Sequence, residues 1–319
     1  MEIVCATDSK YIMPIGVMLT SLYENNMGEL VNVHLLHDKS CVGLLQPLQS
    51  LASQYGQSIH FYLVNNERLQ HFPIGLNYQL DHVGTSLATY YRLFLTEILP
   101  DNIDKVIYLD GDILVVDKLV DLWKTDISAY ALGAVPDSYT NKIEHFNRLR
   151  YPQPLGYFNA GVLLINLKYW REHQVIHQFC DYVKRYPERL HCHDQDVLNV
   201  LFKEAKLELP FRYNILNEYC FALPYSLVSW EYDNQIQAAQ THPAIIHFTC
   251  IPKPWYKNCK HPYKKVFDAY QAKSPWAEVK QKRWMPWKYC LEQMAISLVV
   301  AMGLRKRDYI ISNRYIKLS

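Results

Sequence analysis

The chain has 319 residues, half of them apolar and a fifth charged, with a formal net charge of +2. This supports a globular α/β chain with a sizeable core, and no nucleic-acid partner is expected. Eight cysteines with no C-x-x-C pair argue for a reducing compartment and against structural zinc. A start with no secretory signal and the lack of any apolar run near the ~20 residues that cross a bilayer predict a cytoplasmic chain.

In chain order, residues 2–7 read as a strand ending at Asp8. Ile12, Ile15, Leu19, Leu22 and Tyr23 recur at helical spacing, and Asn25 and Asn26 close that helix. A strand over 31–37, a helix over 42–55 and a strand over 59–64 then complete a right-handed βαβαβ unit with a parallel sheet. Ligands of such sheets bind beyond the carboxyl ends of the strands. No G-x-G-x-x-G follows the first strand, which argues against the usual dinucleotide fold. Residues 65–84 read as a long loop of the kind that forms active-site lids, and 86–99 as a helix carrying Arg92 among aromatic residues.

Residues 105–116 form the centre of the pattern. A β-branched run climbs to Asp110-Gly111-Asp112, and a second apolar run leaves again. Carboxylates at i and i+2 of an extended chain share a side and repel each other unless a cation separates them. Oxygen ligands of this kind suit Mg²⁺ or Mn²⁺. The same residues also read as the Asp-Gly turn of a β-hairpin. Further on, a strand over 131–135 ends in Asp137, 158–167 is a strand, and 169–186 is a helix closed by Pro187. Asp194-Gln195-Asp196 opens a helical pattern, where a single Asp would suffice as an N-cap. Residues 211–240 read as irregular, 244–248 as a short strand containing His247, and Lys253 is held between two prolines.

Six of these segments together resemble the retaining glycosyltransferases of family 8, in particular bacterial lipopolysaccharide galactosyl- and glucosyltransferases. They are Ala6-Thr7-Asp8, Thr89-Tyr90-Tyr91-Arg92, Tyr108-Leu109-Asp110-Gly111-Asp112, the run from Tyr157 through Asn159 to Leu167, Asp194-Gln195-Asp196, and His247 with Lys253. The resemblance implies a GT-A fold: α/β, with a mostly parallel nucleotide-sugar-binding sheet flanked by helices. It implies a UDP-galactose or UDP-glucose donor and Mn²⁺, with Mg²⁺ as the alternative, held by Asp110, Asp112 and His247. Asp8 is implied at the uracil, with Ala6, Thr7, Tyr11, Gly111, Cys250 and Lys253 along the donor. Arg92, Asn159 and Asp194 are implied at the sugar and Gln195 at the β-face of its anomeric carbon, with Asp196 the candidate for a double displacement. Two positions depart from the family pattern: Cys250 replaces a glycine, and Lys10 replaces an asparagine that contacts the ribose.

The resemblance predicts a catalytic domain over 1–275 and leaves a tail over 276–319. Residues 281–319 hold eight Lys and Arg against two acids, so the rest of the chain is net −4. Basic charge beside a short apolar run predicts a helical tail on an anionic membrane surface, placing the enzyme peripherally on the inner face beside a glycan or glycolipid acceptor. Packing of that helix on protein is the alternative. For the whole chain the rival readings are a glycogenin-like self-glycosylating or protein-glycosylating transferase and a non-catalytic scaffold of the same fold.

Overall fold

The computed structural model describes residues 1–74, 86–138, 140, 142–220, 230–249 and 251–283. The β-branched opening forms β1 (Glu2–Thr7), and the helical spacing behind it forms α1 (Ile12–Asn25). The Asn26 amide ends that helix by donating to the Leu22 carbonyl and accepting from the Leu119 N–H. Next come β2 (Asn32–His37), α2 (Gln46–Gln54) and β3 (Ser58–Leu63), with β1, β2 and β3 parallel as expected. The second helix starts at Gln46 rather than 42, because Gly43 takes a φ of +88° and Pro47 supplies a preset φ in the first turn.

Residues 86–99 are helical but wound as a 3-10 helix over Leu87–Phe94 that runs into a short α3 (Leu95–Ile98). Beyond them lie β4 (Lys105–Leu109), β5 (Ile113–Val115), α4 (Val120–Lys124), β6 (Leu132–Pro136), α5 (Ile143–Leu149) and β7 (Phe158–Asn166). The single helix expected over 169–186 is two, α6 (Leu167–Glu172) and α7 (Val175–Arg185), interrupted where Gln174 takes a left-handed φ of 50°. Next are α8 (His193–Phe202) and β8 (Lys206–Glu208). The stretch 211–240 is more regular than expected, with β9 (Ile215–Leu216) and α9 (Asp233–Thr241), followed by β10 (Ile245–His247) and α10 (Lys264–Lys273). Residues 75–84 of the expected lid loop and 221–229 lie outside the described residues.

The main sheet has the order β3-β2-β1-β4-β7-β6-β8 and is mostly parallel; β7 runs antiparallel to both neighbours. A second sheet has the order β5-β10-β9. The runs on either side of Asp110-Gly111-Asp112 therefore enter different sheets, which rules out the hairpin reading. Alternation along the central strands feeds two cores. Ile3, Cys5, Ile107, Leu109, Val162 and Leu164 face α1 and α2, while Val4, Val106, Tyr108, Leu163 and Ile165 face the Arg92 helix and α6–α8.

The body continues past residue 275, the expected boundary. The Trp276 ring lies on Gly16 of α1, Gln281 bonds Lys264, Asp268 and Gln271, and Lys282 bridges to Tyr256. The rest of the expected tail, 284–319, lies outside the described residues. Among the described residues no helix is long and apolar enough to cross a membrane.

A Cβ on Gly16 would stand 1.8 Å from the Trp276 ring. Gly16→Val is expected to expel that ring and cost roughly 1–3 kcal/mol, as overpacking does. A lowered Tm together with faster proteolysis within 271–283 checks it.

Candidate active site

β1 and β4 are parallel neighbours at the centre of the sheet, so Asp8 and Asp110 emerge at the same carboxyl edge. A cleft of about 160 Å³ opens there, lined by Ala6, Thr7, Asp8, Tyr11, Arg92, Asp110, Gly111 and Asp112, together with Ser86, Ala88, Thr89 and Tyr108. Gly111 is needed for close packing: a Cβ would stand 2.9 Å from Ile15 and 3.1 Å from Tyr11. Asp8 accepts the Lys10 backbone N–H at 2.8 Å, while Lys10 itself is exposed. Burial first, and the facing carboxylates of Asp112, Asp110 and Asp8 second, push the Tyr11 phenol well above its usual range.

Strand pairing brings His247 to the two aspartates. In the second sheet His247 sits opposite Ile113, and the Phe248 N–H donates to the Asp112 carbonyl at 2.9 Å. His247 Nε2 lies 3.3 Å from Asp112 Oδ1 and 3.9 Å from Asp110 Oδ2, and ligand atoms of all three side chains lie within 4.8 Å of one another. Gly161 of β7 forms the floor, receiving the Asp110 N–H at 2.9 Å. A Cβ there would stand 2.2 Å from His247 Cε1 and 2.9 Å from Asp110 Oδ2, so only glycine leaves the cradle open. Two carboxylates and an imidazole form a donor set that suits Mn²⁺ better than Mg²⁺. These residues fit a divalent cation.

Fixed cations flank the pair. Lys253 Nζ lies 2.6 Å from Asp112 Oδ2 and also donates to the Phe248 and Thr249 carbonyls. Burial opposes ionisation of Asp112, but Lys253 and His247 outweigh it and hold its pKa below the usual carboxylate range. On the other side Arg92, 4% exposed, binds Asp110 at 2.6 Å, donates to the Ala160 carbonyl and stacks 4.1 Å over the Tyr108 ring. Its Nε lies 2.9 Å from Asp194 but points its N–H at the Thr89 carbonyl, so that contact is coulombic. Burial raises the Asp194 pKa despite Arg92 and the Thr89 hydroxyl.

Gln195 is held at both ends of its amide: Oε1 accepts the Ala160 N–H at 2.9 Å and Nε2 donates to Asp137 at 3.2 Å. Asn159 donates to the same Asp137 oxygen at 3.0 Å. Asp196 departs from its expectation. It is 0% exposed and accepts from both terminal nitrogens of Arg148, from the Tyr157 hydroxyl and from the Cys192 N–H. Both of its oxygens are thereby committed to interior partners. His145, Cys192 and Asp196 also cluster at metal-ligand spacing. The Arg148 guanidinium already fills that place, and burial followed by Arg148 lowers the His145 pKa to about 4.

Cys250 lies outside the described residues. Four contributors escaped the sequence reading: Thr89 as a partner of Asp194, Arg148, Gly161 and Asn214, whose Oδ1 lies 3.0 Å from His247 Nδ1. Asn214 carries no local signal, because it sits in the stretch read as irregular.

The sequence matches the profile of Glycosyl transferase family 8 over residues 2–259. The chain belongs to this family. It is 28% identical over 285 residues to a lipopolysaccharide 1,2-glucosyltransferase of Escherichia coli strain K12, covering 87% of this chain and 79% of that protein. To General stress protein A of Bacillus subtilis it is 28% identical over 282 residues, covering 86% and 94%. The fold superposes on galactosyltransferase LgtC, solved with donor and acceptor sugar analogs, with a TM-score of 0.74, 30% identity and coverage of 86% and 96%. The architecture is accordingly the GT-A fold, and the family makes the chain a glycosyltransferase.

If Gly161 keeps the cradle open, Gly161→Ala should abolish Mn²⁺ binding while the chain stays folded. Titration of free Mn²⁺ by electron paramagnetic resonance, beside a circular dichroism melt, checks both halves.

Proposed function

We propose that this glycosyltransferase moves a hexose, galactose or glucose, from a UDP-sugar to a surface glycan of the lipopolysaccharide kind, with a divalent cation and with retention of configuration. The observation that carries this reading is the Asp110, Asp112 and His247 cluster at the mouth of the cleft beyond β1 and β4, with Lys253 beside it. The similarity to a lipopolysaccharide 1,2-glucosyltransferase and to a lipopolysaccharide 1,3-galactosyltransferase of Salmonella typhimurium supports the donor and acceptor classes.

Asp8, Ala6, Thr7 and Tyr11 form the wall on which the nucleoside rests, with Asp8 directed at the uracil. Asp110, Asp112 and His247 would hold Mn²⁺, or less well Mg²⁺, which when bound supplies Lewis-acid neutralisation of the diphosphate. Lys253 adds a fixed positive charge where the leaving diphosphate gathers negative charge. Arg92, Asn159 and Asp194 orient the sugar, and Gln195, clamped through its amide, holds the β-face against water. The sugar–oxygen bond breaks with its electron pair passing to the diphosphate. The acceptor hydroxyl then attacks from the same face, and its proton goes to the departing oxygen. An amide is a poor nucleophile and Asp196 is sealed in the interior, which favours this front-face course over a covalent intermediate. An LgtC structure with an active-site glutamine changed to glutamate supports giving Gln195 a place at the reaction.

Released UDP, measured over a panel of UDP-sugars, tests the reading. Transfer should vanish in EDTA, return best with Mn²⁺, and fall in Asp112→Asn by more than the ~100-fold typical of outer ligand-shell changes. NMR of the new linkage should show the donor's α configuration; full activity in EDTA or a β product overturns the reading.

We also propose that the surplus positive charge of residues 281–319 holds the enzyme peripherally on an anionic membrane, each Lys or Arg adding about 1 kcal/mol near the surface. The full chain should co-sediment with anionic vesicles at low salt, and a chain ending at Arg283 should not.

A further inference from the structure

We infer that Asn214 is a positioning residue that sets the tautomer of His247 and ties the cation site to the sugar site. Nothing at its position in the sequence announces this, and it rests on the reading of Asp110, Asp112 and His247 as cation ligands.

The orientation of each amide along the path follows from groups that cannot turn over. Asn159 Oδ1 accepts the backbone N–H of Gly161 at 2.9 Å, and Asn159 Nδ2 donates to the Asp137 carboxylate at 3.0 Å. A backbone N–H can only donate and a carboxylate can only accept, so the Asn159 amide has one allowed orientation. Its Oδ1 lies 2.9 Å from Asn214 Nδ2, which must therefore donate. Asn214 Oδ1 then faces His247 Nδ1 at 3.0 Å and requires a proton on that nitrogen. In the neutral ring Nε2 is then left with its lone pair turned to the two aspartates, the form a metal ligand needs. Asn214 is 0% exposed, so bulk solvent does not reach either end of its amide. From Asp137 the path continues to Gln195 Nε2 at 3.2 Å. Two buried amides in series, Asn214 and Asn159, thus join the imidazole of the cation site to the carboxylate that clamps Gln195.

The two ends of Asn214 can be separated by substitution. Asp at this position keeps an acceptor for His247 Nδ1 but sets an oxygen against Asn159 Oδ1. Ala removes both interactions. In ¹⁵N NMR of histidine-labelled protein without metal, with His247 assigned by difference against His247→Gln, the neutral ring should carry its proton on Nδ1. Mn²⁺ titration by electron paramagnetic resonance should show affinity lowered ~10–100-fold in Asn214→Ala and held within a few-fold of wild type in Asn214→Asp. In sugar transfer at saturating Mn²⁺, Asn214→Asp should nevertheless lose at least tenfold in kcat/KM for the donor. A merely structural role would lower both properties together in both variants. A proton on Nε2, an Asn214→Ala protein that binds Mn²⁺ like wild type, or an Asn214→Asp protein as weak for Mn²⁺ as the Ala variant overturns the inference. Should a variant fail to fold, the tautomer of the unaltered protein decides alone. Absence of Mn²⁺ binding by wild type sinks instead the cation reading on which the inference rests.

Discussion

Two carboxylates carried on one glycine turn, half withdrawn from water, are the constraint on which this structure depends. Asp110 and Asp112 project into the same cleft, and their mutual repulsion must be offset by positive charge held in place. Arg92 comes from a 3-10 helix on one side and Lys253 from the segment after β10 on the other. His247 arrives from a second sheet. None of the three is close to the aspartates in sequence. The fold can be read as the means of bringing them there.

The glycines show how tightly this is done. Gly111 lets the turn pack on α1, and Gly161 lets strand β7 pass beneath His247 and Asp110, each at distances where a methyl group would collide. The same economy governs the carboxylates of α8. Asp194 pairs with Arg92 and Asp196 with Arg148, both nearly or wholly buried. Removing one partner of such a pair leaves an uncompensated buried charge, so these contacts fix geometry more than they add stability. Gln195, between them, is then clamped by the Ala160 N–H and Asp137. Gln195 is the residue of the motif that stays partly exposed.

Departures from the expected elements share one cause. Periodicity registers which face of a segment is apolar but not where its backbone turns aside. Gly43 and Gln174, both at positive φ, interrupt apolar patterns that continue across them. Trp276 falls within the expected tail, yet the notch over Gly16 claims its ring for the body. Asp196 looked catalytic because of its neighbours in the chain, and only the position of Arg148 withdraws it.

The sequence by itself determined the parallel βαβαβ opening, the placing of Asp8 and Asp110 at strand ends, and the family of the chain, because these rest on local patterns and motifs in register. Alternation along a strand decides which side chains share a face, and a strand end decides where a carboxylate emerges. The tertiary structure alone decided that the Asp-Gly-Asp turn joins two sheets and is no hairpin, since strand pairing is a non-local choice. It also decided the identity of the groups behind His247 and Asp110. Asn214, 33 residues from His247, and Gly161 owe their importance to what crosses them in space. A hydrogen bond or a close approach between distant segments leaves no trace in the spacing of either.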